Sequence, residues 1–210
     1  MKIEERVTAA LHVAIAGDFF VALDLICPAI EASARKDLGK NSITRNEYKD
    51  FLRKYNTIIE AFSGPGINLD ETRFPDISIK TDNGKTIERP DFSDLIYHAF
   101  RCALAHGHEI SDEFVLTEEE DEDKSHWLIG LQNGHIHMPR RVVWALIAVV
   151  VFCRANQDIT TESNLWLTWT RNSMGRNEPY RFDIDIFWGA EETVRRFLER
   201  QNLSRVALNF

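Results

Sequence analysis

Apolar positions recur at helical spacing along most of the chain, and the breaks between them fall at capping and turn residues. Ile3, Val7, Ala10, Leu11, Ala14 and Ile15 form one stripe that ends near Gly17, and Asp18 is placed to cap the next helix. This predicts a helical hairpin whose second helix runs over about 18–38 and is kinked near Asp24 or Leu25 by Pro28, which removes a backbone donor. A third helix over about 45–62 follows Thr44, with Tyr48, Phe51, Leu52, Tyr55, Ile58, Ile59 and Phe62 on one face. Ser63-Gly-Pro-Gly66 ends it.

The stretch Asp91 to Ile110 organises the rest. Asp91 or Ser93 can cap its start after Pro90, and Gly107 suits a left-handed helix end. Phe92, Leu95, Ile96, Ala99 and Ala103 share one stripe. At about 100° per residue, His98, Arg101, Cys102, Ala105 and His106 fall on its far side and flank, so two histidines and an arginine can share a cleft. Glu31, late in the second helix, can orient Arg101 by a charge-assisted hydrogen bond, although a solvated helix glutamate is the commoner situation.

Period-two alternation marks the remaining segments. Ile77-Ser-Ile79 and Thr86-Ile-Glu88 flank Asp82-Asn-Gly84, a hairpin or ordered-loop pattern. Glu113 to Leu116, His126 to Leu131 and His135-Ile-His137 read as a small antiparallel sheet inserted at about 112–138, with Asn133-Gly134 as a tight turn. Pro139 suits the first position of a helix, and the twelve apolar residues Val142 to Cys153 demand burial. That run falls short of the roughly 20 residues needed to cross a bilayer. Leu165, Leu167 and Trp169, then Tyr180, Phe182, Ile184 and Ile186, predict a strand pair before an amphipathic helix over Glu191 to Gln201. The fold class is mainly α: one domain over residues 1–210, with a small antiparallel insertion and a mixed C-terminal segment.

With 44% hydrophobic residues in 210, the chain can bury a sizeable core. Cys27, Cys102 and Cys153 are far apart and set in apolar runs, which suits reduced core thiols. Glu4 and Glu5 spoil a signal-peptide reading, so a cytoplasmic protein with no membrane partner is expected. A net charge of -8 argues against a broad phosphate-coating face, though Glu118-Glu-Glu-Asp-Glu-Asp123 accounts for six of those charges and reads as a solvated tip. Arg195, Arg196, Arg200 and Arg205 make the close of the chain locally basic, a solvated face or part of an RNA path.

The spacing Arg101-x-x-x-x-His106, followed by Gly107, resembles the signature of HEPN domains, whose members include metal-independent RNases of bacterial toxin and antiphage systems. Ala16 to Arg35 looks like the helix that precedes the motif in that family. The resemblance implies a HEPN-like helical bundle in which two helices pair across a homodimer, bringing two arginines and two histidines to one cleft. It implies Arg101 and His106 as catalytic residues, with His98 and Cys102 lining the substrate. Catalytic members often carry a polar residue where this chain has Cys102. Phe100 and Leu104, away from the main stripe, would serve the dimer contact.

The chemistry agrees in type. Cleavage of RNA without a metal needs proton transfer at the 2′-hydroxyl and the leaving oxygen, plus positive charge on the phosphoryl oxygens. A histidine and an arginine supply these. The expected function is a metal-independent endoribonuclease of a toxin or phage-defence type, with an RNA substrate and an antitoxin or other protein partner. The alternative is a non-catalytic module that binds nucleic acid, nucleotide or protein through the same cleft. His135 and His137 share a strand face, and His106 and His108 flank Gly107, but no zinc-binding spacing is present; no metal or cofactor is expected.

Overall fold

The computed structural model of the chain describes residues 1–63, 67–74, 77–81, 84–102, 114–117, 130–132, 135–170 and 179–201. Helices α1 (Ile3–Ile15) and α2 (Phe19–Leu38) form the expected hairpin. The Asp18 carboxylate accepts a hydrogen bond from Val21 N at 3.1 Å, and Gly39 closes α2 at φ 64. Pro28 lies inside α2.

The predicted third helix is two. Helix α3 (Arg45–Lys54) begins in a capping box of Thr44 and Glu47, and α4 (Asn56–Ser63) begins after a break at Tyr55. Tyr55 leaves the helical region (φ -103, ψ 11), and its hydroxyl donates to Glu191 Oε2 at 2.8 Å. A contact across 136 residues of sequence is invisible to local periodicity. Strands β1 (Ser78–Lys80) and β2 (Thr86–Glu88) pair antiparallel, as the alternation predicts. Asp82 and Asn83 lie outside the described residues.

The inserted sheet is mixed, a correction to the antiparallel expectation. β4 (Gly130–Gln132) and β5 (His135–Pro139) are antiparallel, with Gln132 facing His135 across the Asn133-Gly134 signal. β3 (Phe114–Thr117) instead runs parallel to the central β5. The intervening sequence, residues 118–134, exceeds the dozen residues a parallel connection requires. The acidic run, His126 to Ile129 and the turn residues Asn133 and Gly134 lie outside the described residues. Pro139 ends β5 and does not open the next helix. It stands opposite Thr117, and Arg140 N then donates to Thr117 O at 3.2 Å.

Helix α6 (Arg141–Phe152) is the hub. Every residue from Val142 to Phe152 is buried except the half-buried Trp144, and α1, α2 and α4 pack around it. Each fully buried Val, Leu, Ile or Phe contributes about 1.5–3 kcal/mol, so this helix anchors the core. Strands β6 (Trp166–Thr170) and β7 (Pro179–Asp183) pair antiparallel, followed by a short helix α7 (Ile184–Phe187) and α8 (Glu191–Arg200). Ile184 and Ile186 fall in α7 because Asp183 caps it, accepting from Asp185 N at 3.0 Å. No helix among the described residues is long and apolar enough to cross a membrane.

Candidate functional site

Helix α5 (Phe92–Ile96) opens with a reciprocal cap: Asp91 accepts from Asp94 N at 2.8 Å, and Asp94 accepts from Asp91 N at 3.2 Å. Two cations of α3 then clamp these carboxylates. Lys49 Nζ lies 2.9 Å from Asp94, and Arg53 Nε lies 2.8 Å from Asp91. Burial alone would raise the Asp94 carboxyl, but the bonds from Lys49 and Asp91 N, with the charge of Arg53, hold it below the usual carboxylate range. The start of the organising helix is therefore fixed in position.

From Tyr97 the helix changes pitch. Tyr97–Cys102 is a π-helical turn, a rare wide form that recurs at functional sites. Wider turns shift the register of every later side chain, so the wheel drawn at 100° per residue stops applying here. Phe100 shows the effect: it is fully buried, with its ring 5.8 Å from that of Phe114. It therefore belongs to the core and is not available for the dimer contact expected of it.

Arg101 reaches from this turn to α2. Its Nη2 donates to Glu31 Oε2 at 3.0 Å, and the two side chains are 27% and 28% exposed. The pair is thus formed but not sealed. Tyr97 supports it with its ring, 5.6 Å from the Arg101 guanidinium and 5.4 Å from that of Arg45. Tyr48 packs edge-on against Tyr97 at 5.5 Å. Burial pushes the Tyr48 hydroxyl well above its ordinary value and the neighbouring Cys27 thiol up to about 12. Both are neutral near pH 7, so the floor beneath Arg101 offers packing and hydrogen bonding, not a nucleophile.

Of the residues singled out from sequence, the structure joins Arg101 to Glu31. His98 is partly buried, with its ring 5.1 Å from that of Tyr97. Cys102 closes the π turn. His106, Gly107 and His108 lie outside the described residues, as do Ala103 and Leu104. Sequence reasoning missed Tyr97, Arg45 and Tyr48. An aromatic four positions before an arginine on one helix was the available signal for Tyr97; the approach of Arg45 and Tyr48 depends on tertiary packing. His135 is exposed and His137 half-buried on β5, and no group of three metal-ligating side chains occurs among the described residues. The basic C-terminal face is largely self-paired: Arg195 Nε lies 3.0 Å from Glu191, and Arg196 bonds Glu192. Arg205 lies outside the described residues.

Fold and site together define a mainly helical protein with small sheets and a partly exposed arginine held ready by a carboxylate from a second helix. The chain belongs to the family described as Rv1289, whose model matches residues 2–210. It is similar to Uncharacterized protein Rv1289 of Mycobacterium tuberculosis, at 28% identity over 193 residues, covering 90% of this chain and 84% of the relative. The same identity and coverage relate it to Uncharacterized protein Mb1320 of Mycobacterium bovis. No solved structure matches the chain.

Proposed function

We propose that this chain is a HEPN-like protein acting on RNA, a metal-independent endoribonuclease of a toxin or antiphage type. The observation that carries this reading is the Arg101–Glu31 pair. A guanidinium oriented from a second helix, with about a quarter of its side chain in solvent, meets a phosphate without first losing conformational freedom. In the proposed mechanism, His106 exchanges protons with the 2′-hydroxyl and the departing 5′-oxygen, and Arg101 stabilises the charge that develops on phosphorus-bound oxygens. A homodimer supplies the second histidine, so that one acts as base while the other acts as acid. His98 and Cys102 border the substrate.

The same pair favours a second reading. A carboxylate-held arginine binds anions without any proton transfer, so a non-catalytic module for nucleic acid, nucleotide or a protein partner rests on it equally well. The two separate in one experiment: end-labelled cellular RNA is incubated with the full chain in EDTA, beside Arg101→Ala and His106→Ala. The enzyme reading expects cutting that both substitutions abolish while circular dichroism and sedimentation stay unchanged. RNA retained without cutting supports the binding module. Cutting undiminished in both variants overturns the Arg101–His106 mechanism.

A further inference from the structure

With Phe100 in the core, the homodimer of the proposed function needs another face, and α2 presents one. At about 100° per residue, its buried positions between Ala22 and Ala34 turn inward and leave an outward arc of about 160°. That arc carries Phe20, Val21, Leu25, Pro28, Ala32 and Leu38. Phe20, Val21 and Leu38 are 44%, 42% and 43% exposed, and Leu25, Pro28 and Ala32 are half-buried. A helix face turned to water ordinarily carries polar side chains, so this one asks for a cover. Asp24, Glu31 and Arg35 all fall on one flank of it, the flank where Glu31 accepts from Arg101. Lys36, on the opposite edge, bonds Asp158.

The charge pattern of this face is complementary to itself. Asp24 is exposed, and Arg35 Nη1 donates to Asn41 O at 3.3 Å, a peptide oxygen that leaves the guanidinium charge unneutralised. The two lie about 16 Å apart along α2, too far to pair within the helix. Two copies of α2 crossing antiparallel, about a two-fold axis level with Ala29 and Ile30, set Asp24 of each opposite Arg35 of the other. The same axis sets Val21 opposite Leu38, and it brings each flank against the same flank of the second copy. A parallel pair would set each residue level with its own copy, with no such complement. We infer that a second copy of this chain covers the outward face of α2 in this antiparallel register. The two Glu31 positions then lie within about 4.5 Å of each other along the helix axes, on one side of the contact. Both Glu31–Arg101 pairs thereby border a single cleft. The pairing rests on the proposed function, whose site is incomplete without it.

The test is sedimentation equilibrium of the full chain, beside Asp24→Lys and Arg35→Glu, with circular dichroism as the check on folding. The parent is expected to be a dimer. Each substitution sets like charges opposite each other at both ends of the contact, so each weakens dimerisation about tenfold or more. An equimolar mixture of the two variants restores opposite charges at both ends and recovers the parent dissociation constant, as does one chain carrying both substitutions. Recovery on mixing separates a contact between copies from damage to either fold. A parent that stays monomeric at high micromolar concentration overturns the inference. So does a dimer that neither substitution weakens, or one weakened by both and not recovered on mixing. The RNA assay reads the proposed function separately: a dimer that obeys the charge exchange but cuts no RNA keeps the contact and rejects the nuclease, and RNA cut by a monomer rejects the contact.

Discussion

Glu31 and Arg101 are 70 residues apart, and the bond between them is the one link of the candidate site that the chain chemistry suggested in advance. At 27% and 28% exposure the pair adds at most about 1 kcal/mol to stability, so its consequence lies in where it points the guanidinium. Glu31→Gln is accordingly expected to leave the urea midpoint nearly unchanged while reducing RNA cleavage or retention about tenfold or more. A fall in midpoint with RNA handling intact would instead make the pair a structural strut. Asp185 behaves in the opposite way. Burial alone would raise its carboxyl, but bonds from Thr161 Oγ1, Ser163 N at 2.8 Å, Ser163 Oγ at 2.8 Å and Asn164 N at 3.0 Å hold it down to about 2. A depressed folded-state value stabilises the protein above the ordinary value near 3.8, and that stabilisation is lost as pH falls toward 2. Asp185→Asn should lower stability at neutral pH and flatten the acid limb between those values. Urea midpoints measured across that range check both effects.

Elements were legible wherever their cause is local. Asp18, Thr44 and Asp91 mark helix starts because a side-chain oxygen and a backbone N–H three residues on suffice, and the buried α6 follows from an apolar run alone. The π turn at Tyr97–Cys102, the break at Tyr55 and the parallel β3–β5 pair depend on distant contacts that no periodicity encodes. Two element-level predictions follow from such distant contacts. Lys49 is nearly buried against Asp94 and ties α3 to α5; Lys49→Met leaves that carboxylate to Arg53 at 4.0 Å. A loss of about 1–3 kcal/mol is expected, read as a lower urea midpoint at unchanged slope. Gly189 holds φ 71 while its N–H bonds Val151 O at 2.9 Å, and an added Cβ would lie 2.4 Å from Gln157 Cα. Backbone against backbone cannot yield cheaply. Gly189→Ala should therefore cost at least about 2 kcal/mol and loosen the seat of α7 and α8 on the end of α6, seen as faster amide exchange there.

At the scale of the whole molecule, the mainly helical class was readable because helical stripes and capping residues recur from end to end. The groove bordered by Phe19, Arg140, Trp144 and Trp166 was not, because these residues come together only when α6 and β6 meet the start of α2. In sequence, Arg140 and Arg141 merely bracket an apolar run. Net charge sets a consequence for the proposed function. Under that proposal, a chain of charge -8 that meets RNA at Arg101 neutralises few phosphates. For single strands the salt slope is about -0.7 per phosphate neutralised, so one phosphate on Arg101 of each protomer of the proposed dimer predicts a slope of about -1.4 in log affinity against log salt. Titrating a short single-stranded RNA against the His106→Ala protein, which the proposed mechanism leaves unable to cut, between low and physiological salt measures it. A slope near about -1.4 that is lost when Arg101→Ala is added fits a site with few phosphate contacts. A slope several-fold steeper, unchanged by that substitution, would move the binding surface away from Arg101 and onto a diffuse basic face that the acidic composition argues against.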